Sequence, residues 1–345
     1  MKNAHLLLHR SSDKLKFYNS ADPLFWSDEL NCWITCDPST IIFILKSNDF
    51  EVINYKKETV RLAHGLGADL FATANILGSI PLTQEGDSHA ALRKQMAVEL
   101  NQKSAAGPRE LDCFAQAKIS EKFDKNEKFD IASEIFAPFV AMLTSELSGI
   151  CAAHFNGDVS LSQVFDKCLS VNRRKLLNNV IDKMYTSAVQ GSAADKASMR
   201  VAMMILGTDT LLGSIGESFI YSISTNPKKS MSEINWSEKL PITGVPYVER
   251  IANKSTVVSR IDVLKDQRVR VYLDAFRSEG SDYEDLYFGA GRHVCLGRAV
   301  SQQAWQMLTS KFKKIGKNVS ILQVRYRTSD YVFNCPISIE VSVGE

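Results

Sequence analysis

Cys295 stands in Phe288-Gly-Ala-Gly-Arg-His-Val-Cys-Leu-Gly297, a loop suited to hold a metal. Gly289, Gly291 and Gly297 permit a tight turn and the close approach of a flat ligand. A helical pattern follows at once. Leu296, Val300, Met307, Leu308, Phe312 and Ile315 form its apolar stripe, and Gly316 ends it. A sulfur at a helix N-terminus meets unpaired N–H groups and the positive end of the helix dipole, both of which favour thiolate over thiol. A soft thiolate in such a loop suits an axial iron ligand. The competing reading is a buried structural cysteine beside a turn.

A second group of residues breaks the rule of its surroundings. Ser198–Ser222 is apolar nearly all round, as an interior helix is. Its middle reads Gly207-Thr208-Asp209-Thr210. A helical Gly costs about 1 kcal/mol relative to Ala, an unpaired buried carboxylate costs more, and Thr can bond back to the preceding turn and bend the helix. Three unfavourable choices in four residues predict a functional kink. The alternative is a turn or cap with Asp209 in solvent. A third group, His89-Ala-Ala-Leu-Arg93, sets two basic side chains four apart on one helical face.

The loop pattern Phe288-x-x-Gly291-x-x-x-Cys295-x-Gly297, with His293 inside it, resembles the haem-binding loop of the cytochrome P450 family. The resemblance extends over nearly the whole chain. It implies that Cys295 ligates the iron of haem b (iron protoporphyrin IX), with Phe288, Gly289, His293 and Gly297 around the cofactor. It implies that Ser198–Ser222 crosses the haem face, with Gly207 against the cofactor. Asp209 and Thr210 would then form an acid–alcohol pair that delivers protons to bound dioxygen. Leu206 and Leu211 stand where that family more often has a small residue and a second threonine. His89, Arg93 and Arg250, with His293, match the basic residues that hold the haem propionates, which need partners when buried.

Several departures accompany the resemblance. The chain is short at its start, between residue 150 and Asp209, between Thr210 and Arg250, and around 276–285. The second of these regions forms the lid over the substrate in that family, so a trimmed lid implies an open pocket, a small substrate or one presented by a carrier protein. The family's Glu-x-x-Arg pair is not evident. Glu238 in Trp236-Ser-Glu-Lys-Leu-Pro-Ile-Thr-Gly244 could be the acid, but Pro241 takes the arginine's place and disfavours a helix. Glu58-x-x-Arg61 has the spacing in the wrong part of the chain.

The elements that must position these residues are mostly helical. Residues 108–225 read as helices. Cys32–Thr35 reads as extended, followed by a helix over Ile41–Ser47 with Asp37 as its cap. Ile337, Ile339, Val341 and Val343 alternate with polar residues as in a half-buried strand. The expected fold is mainly α with small β-sheets (α+β), one compact domain over residues 1–345, and this matches the cytochrome P450 fold that the resemblance implies. Hydrophobic residues make up 45% and charged residues 23% of the 345, with a net charge of +2, so nothing calls for nucleic acid or a membrane surface. No apolar run is long enough for a membrane span. Met1–Arg10 has too short an apolar core for a signal peptide, which makes a cytoplasmic location the expectation. The seven scattered cysteines do not form a disulfide framework, and Cys32 and Cys36 fit core packing better than zinc.

The function expected is that of a haem-thiolate monooxygenase. It would insert oxygen from O2 into a small organic metabolite, or couple one oxidatively, with electrons from a separate ferredoxin or flavodoxin. Arg93, Lys94, Arg292, Arg298, Lys311, Lys313 and Lys314 form a candidate docking face for that donor. Two alternatives stand beside it. One is a non-catalytic haem-thiolate sensor or helper of another enzyme, motivated by the missing Glu-x-x-Arg. The other is a peroxide-dependent peroxygenase.

Overall fold

The structure is a computed structural model that describes residues 22–104, 108–125, 128–151, 159–190, 192–274, 286–327 and 333–344. The opening Met1–Arg10 and the whole segment 276–285 lie outside the described residues.

Helix α1 (Pro38–Lys46) starts where local chemistry dictates. The Asp37 carboxylate accepts the Thr40 N–H at 2.8 Å, which satisfies one donor left open at the helix end, and Pro38 brings a preset φ. Helices α2 (Tyr55–Leu66), α3 (Phe71–Gly78), α4 (Gly86–Ser104), α5 (Pro108–Asp124), α6 (Ala137–Ser148), α7 (Val171–Val189), α8 (Ala194–Ser224) and α9 (Arg298–Phe312) follow. Between α6 and α8 the described chain has only a 3-10 turn, Leu161–Phe165, and α7.

The strands form small sheets. Five of them take the order β1-β2-β8-β5-β3: β1 (Phe25–Ser27), β2 (Cys32–Thr35), β3 (Phe50–Glu51), β5 (Tyr247–Ala252) and β8 (Arg268–Tyr272). This sheet joins the N-terminal part of the chain to its C-terminal half. A hairpin of β6 (Thr256–Val258) and β7 (Ile261–Val263) follows β5. A third sheet pairs β4 (Lys128–Asp130), β10 (Pro336–Val343) and β9 (Val319–Tyr326) in the order β4-β10-β9. The architecture is α+β and mainly helical, as the sequence implied.

The alternation expected for β10 holds from Ile339 onward, where Ile339, Val341 and Val343 are buried. It fails at its start. Ile337 is exposed and Ser338 buried, because the register shifts between Pro336 and Ser338 and an irregularity there turns side chains to the other face. Helix α8 runs helically through Gly207–Thr210. Thr208 Oγ1 donates to the Met204 carbonyl at 2.8 Å, and Thr210 Oγ1 donates to the Leu206 carbonyl.

Three apolar clusters make the core. One packs α5, α6, α8 and α9 on the β4-β10-β9 sheet. A second lies between the five-stranded sheet, α1 and residues 286–290. The third gathers α3, α7 and the first half of α8. The first contains Phe136, Phe219, Trp236, Trp305 and Phe312, whose rings lie 5.1–6.4 Å apart in edge, tilted and stacked pairs. Each such side chain contributes about 1.5–3 kcal/mol on burial.

Trp236 reaches this cluster from a segment that is not helical. The segment 236–244 is held by its backbone. Trp305 Nε1 donates to the Ser237 carbonyl at 3.0 Å, Gln306 Nε2 to the Glu238 carbonyl at 3.0 Å, and the Leu240 N–H to Gln302 Oε1 at 2.7 Å. The Glu238 side chain is exposed. At its far end Gly244 lies against Gly213 of α8, where a Cβ on Gly244 would stand 2.6 Å from the Ser214 nitrogen. Only residues without side chains allow that approach.

Candidate functional site

A cavity of about 460 Å³ lies among the three clusters. Cys295, Leu296, Gly297 and Val300 form one wall, with Phe288, Gly289 and His293. Met203, Leu206, Gly207, Thr210, Leu211 and Ser214 of α8 form another. Arg93, Arg250 and a group of apolar and aromatic side chains complete it.

The cysteine loop is built by its backbone. The Cys295 N–H donates to the Phe288 carbonyl at 2.8 Å, and Gly289 N–H to the Leu286 carbonyl at 2.8 Å. Gly289 and Gly291 have φ of 77° and 69°, which L side chains rarely adopt. A Cβ on Gly291 would also meet the Leu45 carbonyl oxygen at 2.6 Å, so this loop packs directly on α1. Cys295 is accessible, and what it faces is the cavity. The N–H groups of Gly297 and Arg298, at the start of α9, are directed at its sulfur. Burial nonetheless pushes the thiol up, against the pull of those N–H groups and of Arg93.

The basic residues divide into two kinds. His293 is tied down: its Nε2 meets Glu85 Oε1 at 3.1 Å and its ring lies 4.3 Å from that of His89. Glu85 also accepts the Val52 N–H at 2.9 Å and pairs with Arg292 at 2.9 Å. Burial would raise the Glu85 carboxyl, but these donors outweigh it and hold it at about 2. Glu85 is thus a fixed anchor, which no local spacing in the sequence marks. His89 does not line the cavity.

Arg93 and Arg250 are of the other kind. Both line the cavity, and among the described residues neither has a carboxylate within ion-pair distance. Arg250 is 6% exposed, donates only to the Glu249 carbonyl at 2.9 Å, and is pushed down to about 10 by burial. A buried guanidinium without a counter-charge is costly. Buried Arg250 and half-buried Arg93, in the wall of a cavity that also presents a cysteine sulfur, fit a flat iron ligand carrying two carboxylates.

The acid–alcohol pair is split by the fold. Thr210 lines the cavity, whereas Asp209 does not. Asp209 Oδ1 accepts Arg327 Nη1 at 2.8 Å, and its Oδ2 accepts Ser160 Oγ at 2.5 Å and the Ser162 N–H at 3.1 Å. Burial raises its carboxyl, but Arg327 and the two serines more than offset this and hold it below the usual range. Ser160, Ser162 and Arg327 had no sequence signal, since they lie 49, 47 and 118 residues from Asp209.

The candidate docking face is partly neutralised. Lys311 is buried and pairs with Asp112 at 2.6 Å, and Arg292 is engaged by Glu85. Lys94, Lys313 and Lys314 are exposed. Cys32 is buried in the sheet core and Cys36 half-buried, and neither is in a disulfide. No helix among the described residues is long and apolar enough to cross a membrane.

No protein-family model matches the chain, and no curated protein sequence matches it either. Solved structures do. CalO2 superposes with a TM-score of 0.77 at 15% identity, covering 98% of this chain and 94% of that one. P450 RauA, complexed with a biosynthetic intermediate of aurachin RE, gives 0.74 at 17%, covering 99% and 100%. P450BioI, in complex with an acyl carrier protein ligated to hexadec-9Z-enoic acid, gives 0.73 at 15%, covering 96% and 98%. At these identities the likeness is one of fold.

Proposed function

From a chain with the cytochrome P450 fold, we propose a haem-thiolate monooxygenase that binds haem b through Cys295 and oxidises a small apolar metabolite. The observation that carries this reading is the conjunction around one cavity of the Cys295 sulfur, at the start of α9, with two arginines that lack acidic partners among the described residues. Cys295 would hold the iron through its sulfur. Arg93 and Arg250 would take the two propionates, each a charge-assisted contact. His293, fixed by Glu85, would flank them.

Haem held this way supplies dioxygen activation, with electrons from a separate donor such as a ferredoxin or flavodoxin. The chain's own part is to position substrate and water. Thr210 Oγ1 gives its proton to the Leu206 carbonyl, so lone pairs are what it presents to the cavity. It can accept a hydrogen bond from a water or from a protonated oxygen there. Ser214 Oγ, also in the wall, donates to the Thr210 carbonyl and accepts the Gly244 N–H, each at 2.8 Å, and so stiffens that turn. Leu206, Leu211, Met203 and Phe165 make the remainder apolar, which suits a hydrophobic substrate. Only a 3-10 turn and α7 stand as described elements between α6 and α8, which fits a substrate presented on a carrier protein.

The test is the visible spectrum of the purified protein, reduced and exposed to carbon monoxide. A strongly red-shifted Soret band in the wild type, lost in Cys295→Ala, is the expected result. No haem, or a band of histidine or neutral-thiol type, would overturn this reading. The irregular 236–244 segment is the observation that favours the sensor or helper alternative. Retention of biological activity by Cys295→Ala would select it.

A further inference from the structure

The Asp209 carboxylate joins three stretches of chain. It belongs to α8, it holds the start of the 160–165 segment through Ser160 and Ser162, and it holds the end of β9 through Arg327. Each outer stretch carries a phenylalanine to the cavity. Phe165 closes the 3-10 turn that Ser160 opens. Phe333 lies across the hairpin from Arg327, whose N–H donates to the Cys335 carbonyl at 3.2 Å. The two rings meet edge-on at 6.4 Å, and Tyr55 packs edge-on against Phe165 at 5.1 Å. All three rings line the cavity, and the carboxylate that ties down the stretches carrying Phe165 and Phe333 does not.

We propose that Asp209 is a positioning residue that pins Ser160–Phe165 and the Arg327 end of the C-terminal hairpin onto α8, so placing Phe165 and Phe333 and setting which apolar, ring-bearing ligands the cavity takes. Asp209 does not line the cavity as its neighbour Thr210 does, and three donors occupy its oxygens, which suits a clamp. The geometry of the clamp stands without any cofactor. Only the ligand measurement below rests on the haem reading.

Two measurements on Asp209→Asn, Arg327→Gln and the double variant test this. The first is amide hydrogen exchange of the purified protein. Both single variants should exchange about tenfold or more faster across 160–166, with α9 unchanged, because local protection tracks local opening. The second is titration with two nitrogen ligands of haem. Imidazole fills only the space beside the metal, whereas 4-phenylimidazole must place a second ring in the apolar remainder. The variants should weaken 4-phenylimidazole about tenfold and leave imidazole nearly unchanged, tenfold being about 1.4 kcal/mol. The double variant should be no worse than Asp209→Asn, since both break one contact. Unchanged protection at 160–166 overturns the proposal, as does equal weakening of both ligands. Unchanged protection and affinity with slowed turnover would assign Asp209 to proton transfer instead. If the protein holds no haem, the exchange measurement still decides the clamp, so the two readings fail separately.

Discussion

Arg250 is where the site departs most from what stability alone would select. It is buried, bonds one carbonyl, and carries a charge with no partner within ion-pair distance among the described residues. Replacing an uncompensated buried charge by an apolar side chain is commonly neutral or stabilising. Arg250→Leu should therefore leave the haem-free protein as stable as the wild type, or about 1–3 kcal/mol more stable in urea unfolding. It should at the same time release haem to an acceptor apoprotein about tenfold or more faster, the worth of one charged hydrogen bond. A variant that loses stability and holds haem normally would show that Arg250 serves the fold. The cysteine loop and its basic companions were legible in the sequence because glycine spacing and i,i+4 pairing are local codes. Glu85 was passed over because its partners, Val52, Arg292 and His293, come from elsewhere in the chain. The Asp209 clamp was invisible for the same reason: each of its donors lies on another segment.

Among the elements, the segment 236–244 shows how packing can be kept without a helix. The sequence pointed to Glu238 as a candidate acid and to Pro241 as the obstacle. In the fold the Glu238 side chain is exposed and only its carbonyl is used, while Trp236 fills the core between Phe219, Trp305 and Phe312. Trp236→Ala should cost about 3–5 kcal/mol, through lost burial and the hole it leaves. Glu238→Ala should stay within about 0.5 kcal/mol, as exposed substitutions do. Urea unfolding of the two variants measures both. A large loss for Glu238→Ala would restore a structural role for the acid. Helices α5 to α8 fall in the stretch that apolar spacing marked as mostly helical, although β4 interrupts it, and the cap at Asp37 was readable from its residue type. Boundaries were less so: α8 extends to Ala194–Ser224 and α1 begins at Pro38. The exposed Ile337 could not be foreseen, because a register shift leaves the residue types of a strand unchanged.

At the scale of the whole molecule, the cavity exists because three separate apolar clusters meet without merging, and charged contacts tie their edges. The clearest joins the loop after the 3-10 turn to the five-stranded sheet. Glu249 of β5 lies opposite Arg270 of β8 and accepts from it at 2.8 Å, while Lys167 reaches the same carboxylate at 2.5 Å. The Arg270 guanidinium also sits 4.0 Å from the centre of the Tyr247 ring. Burial alone would raise the Glu249 carboxyl, but Arg270 and Lys167 overcome it and hold it at about 2, against 4.5 for a free glutamate. A carboxylate held low in the folded state stabilises fully above its unfolded value, and that stabilisation drains away as pH falls through the folded value. The wild type should therefore lose stability between about pH 5 and pH 2 partly through this group, on the order of 3 kcal/mol. Glu249→Gln should be less stable near neutrality, since it leaves Arg270 and Lys167 without their shared carboxylate. Its deficit should shrink across the same window, because the wild type loses there what the variant already lacks. Unfolding free energies of both proteins at neutral and acid pH measure the difference. A deficit that stays constant would mean that the Lys167 and Arg270 contacts do not hold the loop to the sheet, and that this edge of the cavity is closed by apolar packing alone.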